Sequence, residues 1–155
     1  MRQPIKNNNK PKKVKKVLGK KKKHPQYGTS KLEEYFASEF LDKLGVEYEY
    51  QFEAKDIGRF YDFRIIDGPI IEINGSYWHG DPRLYESEKL NKIQKKNISV
   101  DKIKEKWALI HGIPIYYIWE KDIRENSSKV MDFLKEILNI HNNNILIKEN
   151  RKKRH

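Results

Sequence analysis

Four polar side chains suited to hydrolytic chemistry, Asp62, Glu72, Asn74 and His79, fall close together in the chain. Two of them interrupt an apolar strand. The segment Ile70-Ile71-Glu72-Ile73-Asn74-Gly75-Ser76-Tyr77-Trp78-His79 sets a carboxylate and an amide among isoleucines. An unpaired buried charge is costly, so a strand that keeps one needs a partner for it. Carboxylates on neighbouring antiparallel strands can share one sheet face, and there they repel unless a cation or a proton sits between them. Mg²⁺ prefers oxygen ligands and keeps several waters, and water polarised in this way can attack a phosphate. Asp62 and Glu72 are therefore candidate metal ligands. The competing reading for Asp62, within Arg59-Phe60-Tyr61-Asp62-Phe63-Arg64, is an ordinary ion pair with a flanking arginine. A neutral imidazole near pH 7 can take or give a proton, which makes His79 the candidate acid–base. Tyr77 and Trp78 are either core residues or exposed rings that stack on bases.

Those residues need a frame to hold them. Ser30 with Glu33 three residues on reads as a capping box. The stripe Leu32, Tyr35, Phe36, Phe40, Leu41 and Leu44 then predicts a helix that Gly45 ends. Residues 46–54 and 59–66 predict two strands joined by a turn near Asp56-Ile57-Gly58, and Asp67-Gly68-Pro69 marks another tight turn before a central strand over 70–74. A polar helix over 84–111, with Ile103, Trp107 and Ile110 facing inward, is stopped by Gly112. A strand over 113–119 and an amphipathic helix over 127–140 follow. The order α-β-β-β-α-β-α predicts an α/β domain with a mixed central β-sheet flanked by helices.

The formal charge of +11 is unevenly spread. Residues 1–23 hold eleven Lys/Arg and no acid, and residues 148–155 hold five against one. Of 33 basic and 22 acidic residues, that leaves 17 against 21 for residues 24–147, a net of −4. Two basic tails therefore flank a mildly acidic body. The expected organisation is a disordered Lys-rich arm over 1–26, a folded domain over 27–140 and a basic tail over 141–155. Such tails bind polyanions by counterion release. Lys20, Lys21, Lys22 and Lys23 in the arm are candidate DNA contacts. So are Lys92, Lys95 and Lys96, on the helix after the central strand. With no cysteine, disulfides and thiolate metal sites are excluded. No apolar run is long enough for a membrane span, and no apolar segment follows the basic start as in a secretory signal. The expected compartment is the cytoplasm of a bacterial host or phage-infected cell.

Taken together, Ser30-x-x-Glu33, Asp62, Asn74-Gly75-Ser76-Tyr77-Trp78-His79, Asn97-x-x-x-Asp101, Gly112 and Ile118-Trp119-Glu120 resemble the very short patch repair endonucleases and their phage-encoded homing-type relatives. That family belongs to the restriction-endonuclease-like superfamily, and the resemblance covers about residues 30–135. It implies a restriction-endonuclease-like core and a Mg²⁺-dependent endonuclease acting on double-stranded DNA. Mn²⁺ would substitute, and no small-molecule cofactor is implied. Position by position, it implies Asp62 as the central metal ligand helped by the backbone carbonyl of Ile73, and His79 as general base or acid. It further implies Glu33 (Glu34 in a competing alignment) as an acid near the metal's water, Asp101 orienting the catalytic His or Asn side chain, and Tyr77 and Trp78 wedging into the DNA stack.

The departures are informative. Asn74 stands where the repair enzymes have a histidine. Glu72 replaces an apolar residue of theirs and matches the acid of the wider superfamily's Asp…Glu-x-Lys pattern. Ser76, Asp81, Arg83 and Lys121 occupy the positions that hold a structural zinc in the repair enzymes, so no zinc is expected, and Asp81 is expected to hold nothing. These departures place the chain nearer the homing-type branch. Two other readings stay open: a non-catalytic nucleic-acid-binding protein on a decayed nuclease fold, and a strand-specific mismatch nickase. Target site, structured RNA as substrate, and oligomeric state are not legible.

Overall fold

The structure is a computed structural model that describes residues 31–152, with side chains described to residue 139. The 1–26 arm with Lys20 to Lys23, and the Ser30 half of the capping box, lie outside the described residues. The first helix is built of α1 (Lys31–Phe36), a π-helical turn (Ala37–Leu41) and α2 (Asp42–Leu44). Gly45 ends it in the left-handed region (φ 68°), as a C-terminal glycine does most readily. Strands β1 (Tyr48–Ala54), β2 (Arg59–Ile65) and β3 (Ile70–Asn74) form an antiparallel meander. Then α3 (Lys92–Ile110) carries the chain across to β4 (Ile115–Trp119), which pairs with β3 in parallel. Short α4 (Glu120–Glu125) and long α5 (Ser127–Lys152) complete the described chain. The result is a mixed α/β fold with sheet order β1-β2-β3-β4.

Burial explains the layers. Phe36, Phe40 and Leu41 of the first helix pack with Phe63, Ile71, Ile73 and Ile118, and with Val130, Leu134 and Ile137 of α5. Trp107 and Ala108 of α3 form a second cluster with Tyr61, Ile70 and Ala54. Helices thus cover both faces of the sheet. No described helix is long and apolar enough to cross a membrane.

Three expectations are corrected. Helix α3 begins at Lys92 rather than 84, because Asn91 and Gln94 cap it reciprocally: Gln94 N–H donates to Asn91 Oδ1 (2.9 Å) and Asn91 N–H to Gln94 Oε1 (3.0 Å). Of the three apolar residues expected inside that helix, only Trp107 is buried. Ile103 and Ile110 are 47% and 70% exposed. The face that α3 turns inward is largely polar, through Gln94, Asn97, Asp101 and Lys104. Lastly, α5 runs on to Lys152 instead of stopping at 140, and α4, which had no clear periodic signal, precedes it.

Candidate active site

The sheet opens at Asp62. The β1–β2 register pairs Tyr50 with Phe63 and Phe52 with Tyr61 but leaves out Gln51 and Asp62 between them. There Gln51 adopts φ 53°, a left-handed conformation uncommon outside glycine. On the other side the β2–β3 ladder stops at Phe63↔Ile71. One step further, side chains replace the ladder. Asp62 N–H donates to Glu72 Oε2 (2.9 Å), and Ile73 N–H donates to Asp62 Oδ2 (2.7 Å). Asp62 and Glu72 therefore meet across neighbouring antiparallel strands, as their sequence positions predict. Asp62 forms no ion pair with Arg59 or Arg64 among the described residues. In a strand, a residue's N–H and C=O turn to the same neighbour, so the Ile73 carbonyl faces the Asp62 side as well.

A third acid joins from the first helix. Glu33 Oε2 accepts a hydrogen bond from Tyr50 Oη (2.6 Å). Burial raises the pKa of Glu33, opposed by the Tyr50 hydrogen bond and reinforced by the Glu72 charge. Glu34 is exposed, so of the two alignments it is Glu33 that faces the acids. Asp62 is held well above the usual carboxylate range, first by burial and then by the charges of Glu72 and Glu33. Among the described residues the one cation at these acids is Lys104, which sequence reading missed. Its ammonium meets Glu72 Oε1 and lies 4.9 Å from the Tyr61 ring centroid. Burial alone would lower the Lys104 pKa, but Glu72 and Asp62 outweigh it and hold the ammonium above its ordinary value. The available signal was spacing: Lys104 lies one helical turn beyond Asp101, on the same face.

His79 connects to this cluster through Asp101, whose charge, after those of Glu72 and Asp62, favours the Lys104 ammonium. Its Nδ1 lies 2.7 Å from Asp101 Oδ2, and its Nε2 makes no hydrogen bond among the described residues. A carboxylate on one ring nitrogen fixes the imidazole's orientation and leaves the other for proton transfer. Strand β3 delivers the loop that carries His79, and α3 pins that loop. Gln94 Nε2 donates to the Tyr77 carbonyl (2.7 Å) and Asn97 Nδ2 to the Trp78 carbonyl (2.8 Å). With their backbone so held, Tyr77 and Trp78 project outward, 46% and 55% exposed, ring against ring at 5.1 Å. They are surface rings, not core. Lys92, Lys95 and Lys96 are exposed on the first turns of the same helix. The loop closes at Gly80 (φ 60°), where an added Cβ would come within 2.7 Å of Leu90. Asn74, at the end of β3, is 6% exposed, yet its amide makes no hydrogen bond among the described residues.

One expectation is overturned: Asp81 does hold a partner. It is fully buried and accepts from the Arg83 guanidinium at both oxygens (3.0 and 2.7 Å) and from the Arg83 N–H (2.9 Å). Arg83 reaches on to Asp122 (2.8 Å), and Lys121 N–H donates to Ser76 Oγ (3.3 Å). The Arg83 hydrogen bond holds the Asp81 carboxyl below its usual range. Asp81, Arg83 and Asp122 thus form an ionic node that, with the Lys121–Ser76 hydrogen bond, ties the His79 loop to α4.

The acids suit a cation with few protein ligands. Among the described residues no three His, Asp or Glu side chains form a group that could hold a metal by itself, and Mg²⁺ is commonly held by one or two carboxylates plus water and substrate phosphate. Asp62 and the Ile73 carbonyl are the best-placed donors. Glu72 is less so, because both its oxygens are already engaged. Set against protein-family models, curated proteins and solved structures, the chain matches none.

Proposed function

We propose that the protein is a Mg²⁺-dependent endonuclease that hydrolyses phosphodiester bonds in double-stranded DNA, of the kind its motifs resemble. The observation that carries this reading is the His79–Asp101 pair (2.7 Å), with Asp101 one helical turn before Lys104, whose ammonium meets Glu72 opposite Asp62. A buried carboxyl such as Asp62, raised by burial and by neighbouring acids, is common at functional sites, and an oriented imidazole supplies the proton transfer that hydrolysis needs.

His79 Nε2 accepts a proton from water as the water oxygen attacks phosphorus, and the P–O ester bond that breaks releases an alkoxide that takes up a proton. Asp101 keeps the ring oriented and stabilises its charged form. Asp62 and the Ile73 carbonyl would hold the cation, which when bound would offset charge on the phosphate oxygens. Glu33 adds negative charge from the first helix, held in place by Tyr50. Asn74, at the end of β3, offers its amide to a phosphate or its water. Tyr77 and Trp78 present stacking surfaces, while Lys92, Lys95 and Lys96 contact the backbone.

Incubation of supercoiled plasmid with the protein and Mg²⁺ tests this. Wild type should nick or linearise it, and His79→Ala and Asp62→Asn should each abolish cleavage while retaining DNA binding. Wild-type-like cleavage by either variant sinks the mechanism. Binding without cleavage by the wild type would favour the non-catalytic alternative.

A further inference from the structure

Lys104 is the least expected member of the site. Lysine is almost never fully buried unless paired, and here its side chain is 12% exposed against a Glu72 side chain at 4%. Its backbone is fixed as well, since Tyr61 Oη donates to the Lys104 carbonyl (2.7 Å). Glu72 Oε2 takes the Asp62 N–H, and Oε1, which is buried without a hydrogen-bond donor, has the Lys104 ammonium as its ion-pair partner.

A site that binds two divalent ions needs carboxylates able to bridge them at about 3.5–4 Å. The acid beside Asp62 is instead neutralised by a tethered ammonium. From this we propose that Lys104 is a positioning residue that serves as a built-in second cation. It holds Glu72, and through Glu72 the Asp62 backbone, and it limits the site to one divalent ion centred on Asp62. The inference rests on the nuclease reading above and specifies its metal stoichiometry.

A fixed positive charge near a bound divalent ion also weakens that ion's binding. Removing it should therefore tighten metal binding while slowing the reaction, an opposition that a purely structural lysine would not produce.

The test is calorimetric titration of Mn²⁺ into the full chain, beside plasmid cleavage, for wild type, Lys104→Met and Lys104→Arg. Wild type should bind one Mn²⁺ per chain. Lys104→Met should bind Mn²⁺ about tenfold tighter or more and cleave about tenfold more slowly through kcat, with KM for DNA unchanged. Lys104→Arg, with the charge kept, should match wild-type affinity. Two ions per wild-type chain with cleavage intact would overturn the Lys104 assignment alone, as would unchanged Mn²⁺ affinity in folded Lys104→Met. If the methionine variant does not fold, a tenfold change in affinity for Lys104→Arg overturns the assignment and an unchanged affinity supports it. A wild type that neither binds Mn²⁺ nor cleaves overturns the nuclease reading, and this inference with it.

Discussion

Asp62 and Glu72 exchange backbone for side chain: where β2 and β3 would continue their ladder, the Asp62 N–H meets the Glu72 carboxylate and the Asp62 carboxylate meets the Ile73 N–H. The acids thereby stay opposed at the point where the strands part.

Asp62 carries a cost when no cation is bound. Its folded-state pKa is raised, chiefly by burial. Stability in chelator should therefore fall as pH rises from the unfolded value, about 3.9, towards the folded one, and then level off. Asp62→Asn keeps an oxygen for the Ile73 N–H but cannot ionise. It should be more stable than wild type at pH 7, with the gain shrinking towards pH 4. Thermal melts across that range check it, and added Mg²⁺ should raise the melting temperature of wild type only.

Asp101 acts through His79. Asp101→Asn should lower kcat by about tenfold to a hundredfold, less than the roughly 10²–10⁴-fold lost when the proton-transfer group itself is removed. DNA affinity, measured by fluorescence anisotropy, should not change. Equal losses in kcat and affinity would place Asp101 in binding instead.

Tyr77 and Trp78 give a clean separation of fold from contact. Both are exposed, so replacement by alanine should shift stability by no more than about 0.5 kcal/mol. DNA binding should nonetheless weaken by about 1 kcal/mol or more per ring. Retained affinity in both variants would remove the stacking role. Gln94→Ala should behave oppositely, since it strips the Tyr77 carbonyl of its donor in a buried site, at about 1–3 kcal/mol of stability.

The Asp81–Arg83 node should be insensitive to chelators yet sensitive to acid. Asp81 has a folded pKa below its ordinary value, so its contribution is present above the unfolded pKa and is lost as pH falls through the folded one. Arg83→Ala should therefore destabilise most at pH 7, by about 1–3 kcal/mol, and progressively less towards pH 3. A wild-type melting temperature that drops in a zinc chelator would contradict the ionic node.

Much of this was legible in the residues. The alternation of Arg59–Ile65 and the isoleucines around Glu72 place β2 and β3 correctly, and with them the facing acids. The His79–Asp101 pairing followed from family resemblance, not from spacing, because 22 positions and a change of element separate the two. Lys104 and Gln94 escaped notice for a common reason. Periodicity identifies a helix's inner face by its apolar residues, and α3 turns polar groups inward to serve the site. Asp81 was misjudged because its partner, Arg83, lies two residues away, where a carboxylate and a guanidinium ordinarily signal nothing but surface.

The parallel pairing of β3 with β4 has a kinetic consequence. The β1–β2–β3 meander closes through short turns, whereas β4 joins only after the long excursion through residues 75–114 has folded back, and contacts so distant in sequence form slowly. Asp62 and Glu72 belong to the early, local unit; Asp101 and Lys104 arrive with the excursion. Local opening of α3 from the sheet would therefore switch off proton transfer while most of the meander stayed intact. If α3 opens before the meander, loss of the proposed activity on warming should precede loss of the bulk β-structure.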